Sequence, residues 1–204
     1  MKKVHVGCGP HNLMEGWINV DIRPFKGLDR VLDVTREWPF AEVDYIYGEH
    51  FIEHLPLEGA IAFLANAGAS LKRGGVLRLT TPNLAWVVKT HYRFDKEYST
   101  AEKLQQTCAA NRAFHGWGHH FLYDKHTLRH ILRELGYQNV VQCEYSESEH
   151  EALQDVERHG GFSVAEGEPN TLIFEATKSG ETSVPPNMMD LFTDQFLKYV
   201  KSGH

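Results

Sequence analysis

Apolar positions in the first 83 residues fall in short runs broken by turn residues. Val4-His5-Val6 runs into Gly7-Cys8-Gly9-Pro10, Trp17-Ile18-Asn19-Val20 ends on Asp21, and Arg30-Val31-Leu32 ends on Asp33. Val43 to Tyr47 predicts a fourth strand, followed by Gly48-Glu49-His50, and Val76 to Thr80 a fifth, ending at Pro82-Asn83. Between them, Leu57, Ala60, Ile61, Leu64, Gly68 and Leu71 recur at helical spacing over 57–72, with Gly74-Gly75 as the stop. Strands alternating with crossovers predict a parallel α/β sheet. Only ten residues, Gly7 to Gly16, separate the first two strands. A parallel crossover normally takes a dozen or more, with a helix. The pattern therefore predicts at most a short helical turn at Asn12–Glu15.

Further along, residues 84–123 read as an irregular, aromatic-rich insertion, helical at about 100–112, of the kind that serves as a lid or binding loop. Asp124 caps a helix whose face is Leu128, Ile131, Leu132 and Leu135, with Gly136 as its stop. Asn139–Tyr145 and Thr171–Thr177 predict two late strands, paired antiparallel at one sheet edge. Glu147–His159 reads as a charged helical stretch. Residues 1–178 thus form one domain. Residues 179–204 add a linker and a short amphipathic helix at Met188–Val200, which packs on its own domain or serves a partner or homodimer contact.

Composition narrows the function. The 204 residues are 42% hydrophobic and 24% charged, as in ordinary globular proteins. A net charge of −6 without a lysine or arginine run argues against a nucleic-acid partner. No apolar stretch approaches the roughly 20 residues that span a bilayer, which argues against a membrane role. The start, MKKVHVGCG, enters a strand with no signal-peptide apolar region, so the expected location is cytoplasmic. Cys8, Cys108 and Cys143 form neither a disulfide framework nor a metal motif and read as reduced thiols.

A glycine turn after a first strand, with acids ending the next two, is the layout of a nucleotide-type cofactor site. The glycines let backbone approach a ligand, and the acid ending the second strand can accept from both ribose hydroxyls. The dinucleotide fingerprint is incomplete, because Asn12 stands where its third glycine should be. A phosphate-binding GxxxxGK[ST] loop is absent from the sequence. The succession VHVGCGP, INVDI, VLDVTREWPF, VDYIYGEHFIEHL and LKRGGVLRLTTPN resembles class I S-adenosylmethionine-dependent methyltransferases. It is most like the compact "methyltransferase type 11" group, and the likeness resumes at GHHFLYDKHTLRHILRELGY and TLIFEATK. The resemblance implies a Rossmann-like, mostly parallel sheet with an antiparallel edge strand, here with a shortened first crossover. It implies S-adenosylmethionine as cofactor, with Gly7, Cys8 and Gly9 beside its methionine part and Asp21 on its ribose. Asp33 and Val34 would meet the adenine, and Glu49 and His50 would lie near the amino group. From the residues alone, Asp33 reads equally as a turn cap, and Glu49 and His50 equally as a solvated loop.

The segment His115-Gly-Trp-Gly-His119-His120 belongs to a chain with thirteen histidines. As a metal site it lacks a local carboxylate or cysteine, and its two glycines oppose a helix, so no metal is expected. The resemblance instead places it above the strand ends. His119 is then the candidate general base, and His120, Tyr123 and Asn83 are candidate substrate contacts. The expected activity is methyl transfer to a small-molecule or sugar-type acceptor. The alternatives are a non-catalytic binding or interaction module with the same fold and, further off, an NAD-dependent oxidoreductase.

Overall fold

The computed structural model describes residues 1–202. One seven-stranded sheet organises the chain. Its strands are β1 (Lys3–Val6), β2 (Ile18–Asp21), β3 (Arg30–Val31), β4 (Val43–Glu49), β5 (Leu71–Pro82), β6 (Tyr137–Gln142) and β9 (Thr171–Lys178). They lie in the order β3-β2-β1-β4-β5-β9-β6. The first five run parallel, and β9 pairs antiparallel with β5 on one side and β6 on the other. The antiparallel member is thus one place in from the edge, and β6 is outermost. A two-stranded hairpin, β7 (Val164–Ala165) with β8 (Glu168–Pro169), stands apart.

The helices are α1 (Leu57–Ser70), α2 (Leu84–His91), α3 (Thr100–His115) and α4 (Lys125–Glu134). The apolar spacing that predicts α1 buries Leu57, Ala60, Ile61, Phe63, Leu64 and Ala67. These residues join Val4, Val6, Ile46 and Leu79 from the central strands in the main core. Asp124 caps α4 by accepting from the amides of His126 and Thr127. The helix at 57–72 ends earlier than the glycine pair implied. Leu71 is already extended and pairs with Val43, so Gly74-Gly75 fall inside β5, where its register with β4 shifts.

The short first crossover holds turns and extended chain, without the helical turn expected at Asn12–Glu15. Side-chain bonds do the work of a helix there. Asn19 accepts from the Met14 amide (2.8 Å) and donates to the Met14 carbonyl (3.0 Å). Met14 and Trp17 then bury against Tyr47, Val76, Leu153 and Val156 in a second core cluster. The sheet face that a crossover helix would cover is filled by residues 153–156 arriving from far along the chain.

Two other expectations change. The insertion at 84–123 is largely helical, because α2 and α3 occupy most of it. A capping box at Ser99 and Glu102 starts α3, a purely local signal. The charged stretch 147–159 is not a helix beyond the single turn Glu151–Leu153, because its acids and amides find partners elsewhere. The C-terminal segment is helical over Asp190–Ser202, with π geometry at Thr193–Leu197. It packs on its own domain: Phe121 meets Phe192 and Phe196, with ring centres 6.5 and 5.3 Å apart.

Candidate active site

A cleft of about 530 Å³ opens at the carboxyl ends of β1, β4 and β5. It is lined by Gly7, Cys8, Gly9, Asn12, Glu49, His50, Glu53, His54, Pro82, Trp117, His119 and His159. Carboxyl ends of parallel strands are where open α/β sheets bind ligands. A larger depression, about 840 Å³, lies over β6 and β9 around Cys143, Glu147 and His150, away from those strand ends.

The glycine turn is built for close approach. Gly7 has φ +61°, and a Cβ there would stand 2.3 Å from the Phe51 ring. Gly9 has φ +59°, and a Cβ there would meet no atom within 4 Å, so its space is open. Cys8 is buried, and burial followed by the nearby Asp21 charge pushes its thiol up to about 11, so it stays protonated. Asp21, 5% exposed, lies under the turn. Its Oδ2 accepts from the Gly9 amide (3.0 Å) and its Oδ1 from the Arg23 amide (2.9 Å). Those bonds use half of a carboxylate's roughly four lone-pair positions, leaving acceptor capacity for a diol.

The other expected cofactor residues sit differently. Asp33 is a turn cap: its Oδ1 accepts from the Thr35 amide (3.0 Å) and hydroxyl (2.7 Å), and Arg36 reaches Oδ2 (3.1 Å). Those Thr35 bonds, ahead of the arginine, hold its carboxyl below the usual range. Val34 is buried in the core, and its carbonyl accepts from Trp38 Nε1 (2.9 Å) and Asn66 Nδ2 (3.2 Å). Glu49 lines the cleft, but its carboxylate accepts from the amides of Arg158 (2.8 and 3.0 Å) and His159 (2.8 Å). It therefore clamps a distant loop over the cleft. His50 follows at φ +44°, its amide directed at the carbonyl and hydroxyl of Thr80 (3.1 and 3.2 Å). Its ring stacks on His159 with centres 4.0 Å apart. Burial, with His50 close by, holds the His159 ring below its ordinary value.

Of the residues expected to meet an acceptor, His119 lines the cleft and the others do not. His119 Nδ1 lies 2.8 Å from the Ala113 carbonyl, so the proton on that nitrogen is donated there and Nε2 keeps its lone pair. The His120 side chain is exposed and absent from the cleft lining. Asn83 is fully buried, caps α2 through the Ala85 amide (2.9 Å) and donates to Glu168 (3.2 Å) and the Pro169 carbonyl (2.9 Å). Tyr123 is 1% exposed and its carbonyl accepts from the Leu84 amide (2.8 Å). Both are framework residues. Of the aromatics at 86–123, Trp117 alone lines the cleft, while Tyr92, Phe94 and Tyr98 gather around Lys103.

Sequence reasoning passed over Glu53 and His159. Glu53 is fully buried beneath the cleft. Its Oε2 accepts from Thr81 Oγ1 (3.0 Å), while Oε1 faces His50 Nδ1 at 3.3 Å and His54 Nε2 at 3.9 Å without a well-directed hydrogen bond. The repeated acid–histidine pair, Glu49-His50 and Glu53-His54, was the signal available for it.

This sheet order, with a glycine turn at its cleft and a strand-end acid beneath that turn, defines the class I methyltransferase fold. A family model described as a methyltransferase domain matches residues 6–142, and the chain belongs to that family. It is an S-adenosylmethionine-dependent methyltransferase, and S-adenosylmethionine is its cofactor. Solved structures share the fold at low identity. An S-adenosylmethionine-dependent methyltransferase from Clostridium acetobutylicum aligns at TM-score 0.53 with 10% identity, covering 88% of this chain and 84% of that one. One from Archaeoglobus fulgidus aligns at TM-score 0.51 with 18% identity, covering 87% and 86%. Phosphoethanolamine N-methyltransferase 2 of Haemonchus contortus, in complex with S-adenosyl-L-methionine, aligns at TM-score 0.51 with 13% identity, covering 88% of this chain and 50% of that one. No curated protein matches the chain. Among the described residues, no helix is long and apolar enough to cross a membrane.

Proposed function

We propose that the protein methylates a small-molecule or sugar-type acceptor, with the cofactor over the Gly7–Gly9 turn and the acceptor entering beside Trp117 and His119. The observation that carries this reading is the bond from the Gly9 amide to Asp21. It ties the buried strand-end acid to the glycine turn, which forms one lip of a cleft whose other lip is the histidine segment. When bound, the cofactor supplies a methyl group already activated on a sulfonium, so the protein's task is orientation and electrostatics.

Asp21 offers its remaining lone pairs to the ribose hydroxyls, and the opened backbone at Gly7 and Gly9 admits the methionine part. Asp33 and Val34 contribute the turn that closes the adenine end rather than direct contacts, since their polar atoms are already paired. His50 and the loop held by Glu49 exclude water from the amino-acid end. His119, with its proton held toward Ala113, presents Nε2 to take a proton from an acceptor hydroxyl. Asn83 and Tyr123 act by holding α2 and the histidine segment in place. Three free thiols suit a reducing compartment, which supports the cytoplasm as the working location.

Calorimetric titration with S-adenosylhomocysteine, beside NAD, tests this reading. Micromolar binding of the former alone is expected, falling at least tenfold in Asp21→Ala. Binding of NAD instead, or an Asp21→Ala protein that binds as tightly as the parent, would overturn it.

A further inference from the structure

We infer that Glu53, His54 and His119 form a binding site for one first-row transition-metal dication at the acceptor side of the cleft. Each of the three offers one ligand atom, and these atoms lie within 4.8 Å of one another. The histidine segment lacks a local carboxylate, and the fold supplies one from the loop after β4.

Three observations converge. Glu53 is fully buried with Oε1 short of a directed partner, so a negative oxygen aimed at the site lacks a compensating donor. A buried carboxylate is stable only when paired or bound to a metal. His119 Nδ1 is occupied by the Ala113 carbonyl, which is the outer-shell arrangement that fixes a ligating imidazole and frees Nε2. The two ligand segments are tied by backbone: the His120 amide donates to the Glu53 carbonyl at 2.8 Å and the Phe121 amide at 3.3 Å. The site is therefore held by main chain, not by the ligands alone.

The ligand set selects the ion. Two imidazoles and one carboxylate suit zinc, iron or cobalt better than magnesium, calcium or manganese. Tetrahedral bonds of about 2.0–2.2 Å set ligand atoms roughly 3.3–3.6 Å apart, so the Glu53–His54 pair, now at 3.9 Å, must close by about half an ångström, and a pair at the 4.8 Å bound by roughly 1.3 Å. The half-exposed His54 can supply that by rotating about its side-chain bonds. Three protein ligands leave a position open to the cleft. On the methyl-transfer reading above, an acceptor hydroxyl bound there would have its pKa lowered and release its proton to water; its oxygen would then bond the methyl carbon as the sulfonium C–S bond breaks and S-adenosylhomocysteine leaves, with His119 serving as a ligand in place of the base role. The metal site itself stands without that reading. Without an ion, the ring nitrogens of His50 and His54, at 3.3 and 3.9 Å, are the donors nearest that oxygen, and that pairing is the competing explanation.

The test is titration of the full chain, stripped with chelator, with Co²⁺ read by visible absorption and with Zn²⁺ read by calorimetry. Mg²⁺ is run in parallel. One Co²⁺ or Zn²⁺ per chain is expected, weakened at least tenfold in His119→Ala, His54→Ala and Glu53→Gln and unchanged in His115→Ala, with Mg²⁺ much weaker. The partly exposed histidines keep the test valid should the buried Glu53→Gln variant fold poorly. No stoichiometric binding, or binding equal in the histidine variants and therefore adventitious to other histidines, would overturn the inference. Titration of S-adenosylhomocysteine into the metal-free protein separates the two proposals: cofactor binding without a metal site leaves the methyltransferase reading standing, and a metal site without cofactor binding does the reverse.

Discussion

His5 is 1% exposed in the middle of β1, stacked on Tyr47 with ring centres 5.2 Å apart and 3.4 Å from Asn19 Oδ1. Burial is the main cause that lowers its pKa to about 4 from 6.5, with the Asn19 bond opposing it. Between those values the unfolded chain binds a proton that the folded one refuses, so stability rises with pH across the window. The contribution is complete above about pH 6.5 and is lost as pH falls toward 4, a span on the order of 3 kcal/mol. His91 and His159 are shifted the same way by burial, so the comparison must be between proteins. Urea unfolding of wild type and His5→Phe from pH 4 to 7 should give a difference that changes across this window. Parallel curves would show that His5 does not titrate as a buried neutral ring. At this scale, Asp21 was legible because a strand-end acid after a glycine turn is a short-range pattern. Glu53 was not, because its meaning comes from His119, which lies 66 positions away in the sequence.

At the scale of elements, β5 and β9 are pinned by a buried charge cluster. Arg78 is fully buried; its Nε donates to Glu157 (2.7 Å), and its Nη1 to Glu175 on β9 (2.5 Å) and to the Glu147 carbonyl (3.0 Å). Removing the cation leaves two carboxylates without it, so Arg78→Met should cost about 3–5 kcal/mol, as for other broken buried pairs. Equilibrium denaturation checks it, and a loss below about 1 kcal/mol would mean the acids find other partners or protonate cheaply. The same cluster explains the missing helix at 147–159. Composition there suits a charged helix, but Glu157 turns inward to Arg78, and Ser146 and Asp155 adopt φ of +63° and +53°. In contrast α1, α3 and α4 were readable because spacing, caps and stops are carried within a dozen or so residues.

Across the whole molecule the cleft is assembled by long-range closure. Glu49, ending β4, accepts from the amides of Arg158 and His159, which brings residues 153–159 over the glycine turn and seals the face left bare by the short first crossover. Glu49→Ala should speed hydrogen exchange at residues 158 and 159 roughly ten- to hundredfold, the worth of bonds to a charged acceptor. Exchange in the central strands should hardly change. Unaltered protection at 158 and 159 would show that other contacts hold the loop. The sequence by itself determined the strand succession and the glycine turn with Asp21, which rest on local spacing and turn chemistry, and its motifs carried the resemblance to the methyltransferase family. Tertiary structure alone decided that Asp33, Val34 and Asn83 spend their polar atoms inside the framework, that Tyr123 is buried there, that Glu49 is a clamp, and that Glu53, His54 and His119 converge. Hydrogen-bond capacity and burial are settled by partners from distant segments, and no window along the chain contains both members of such a pair.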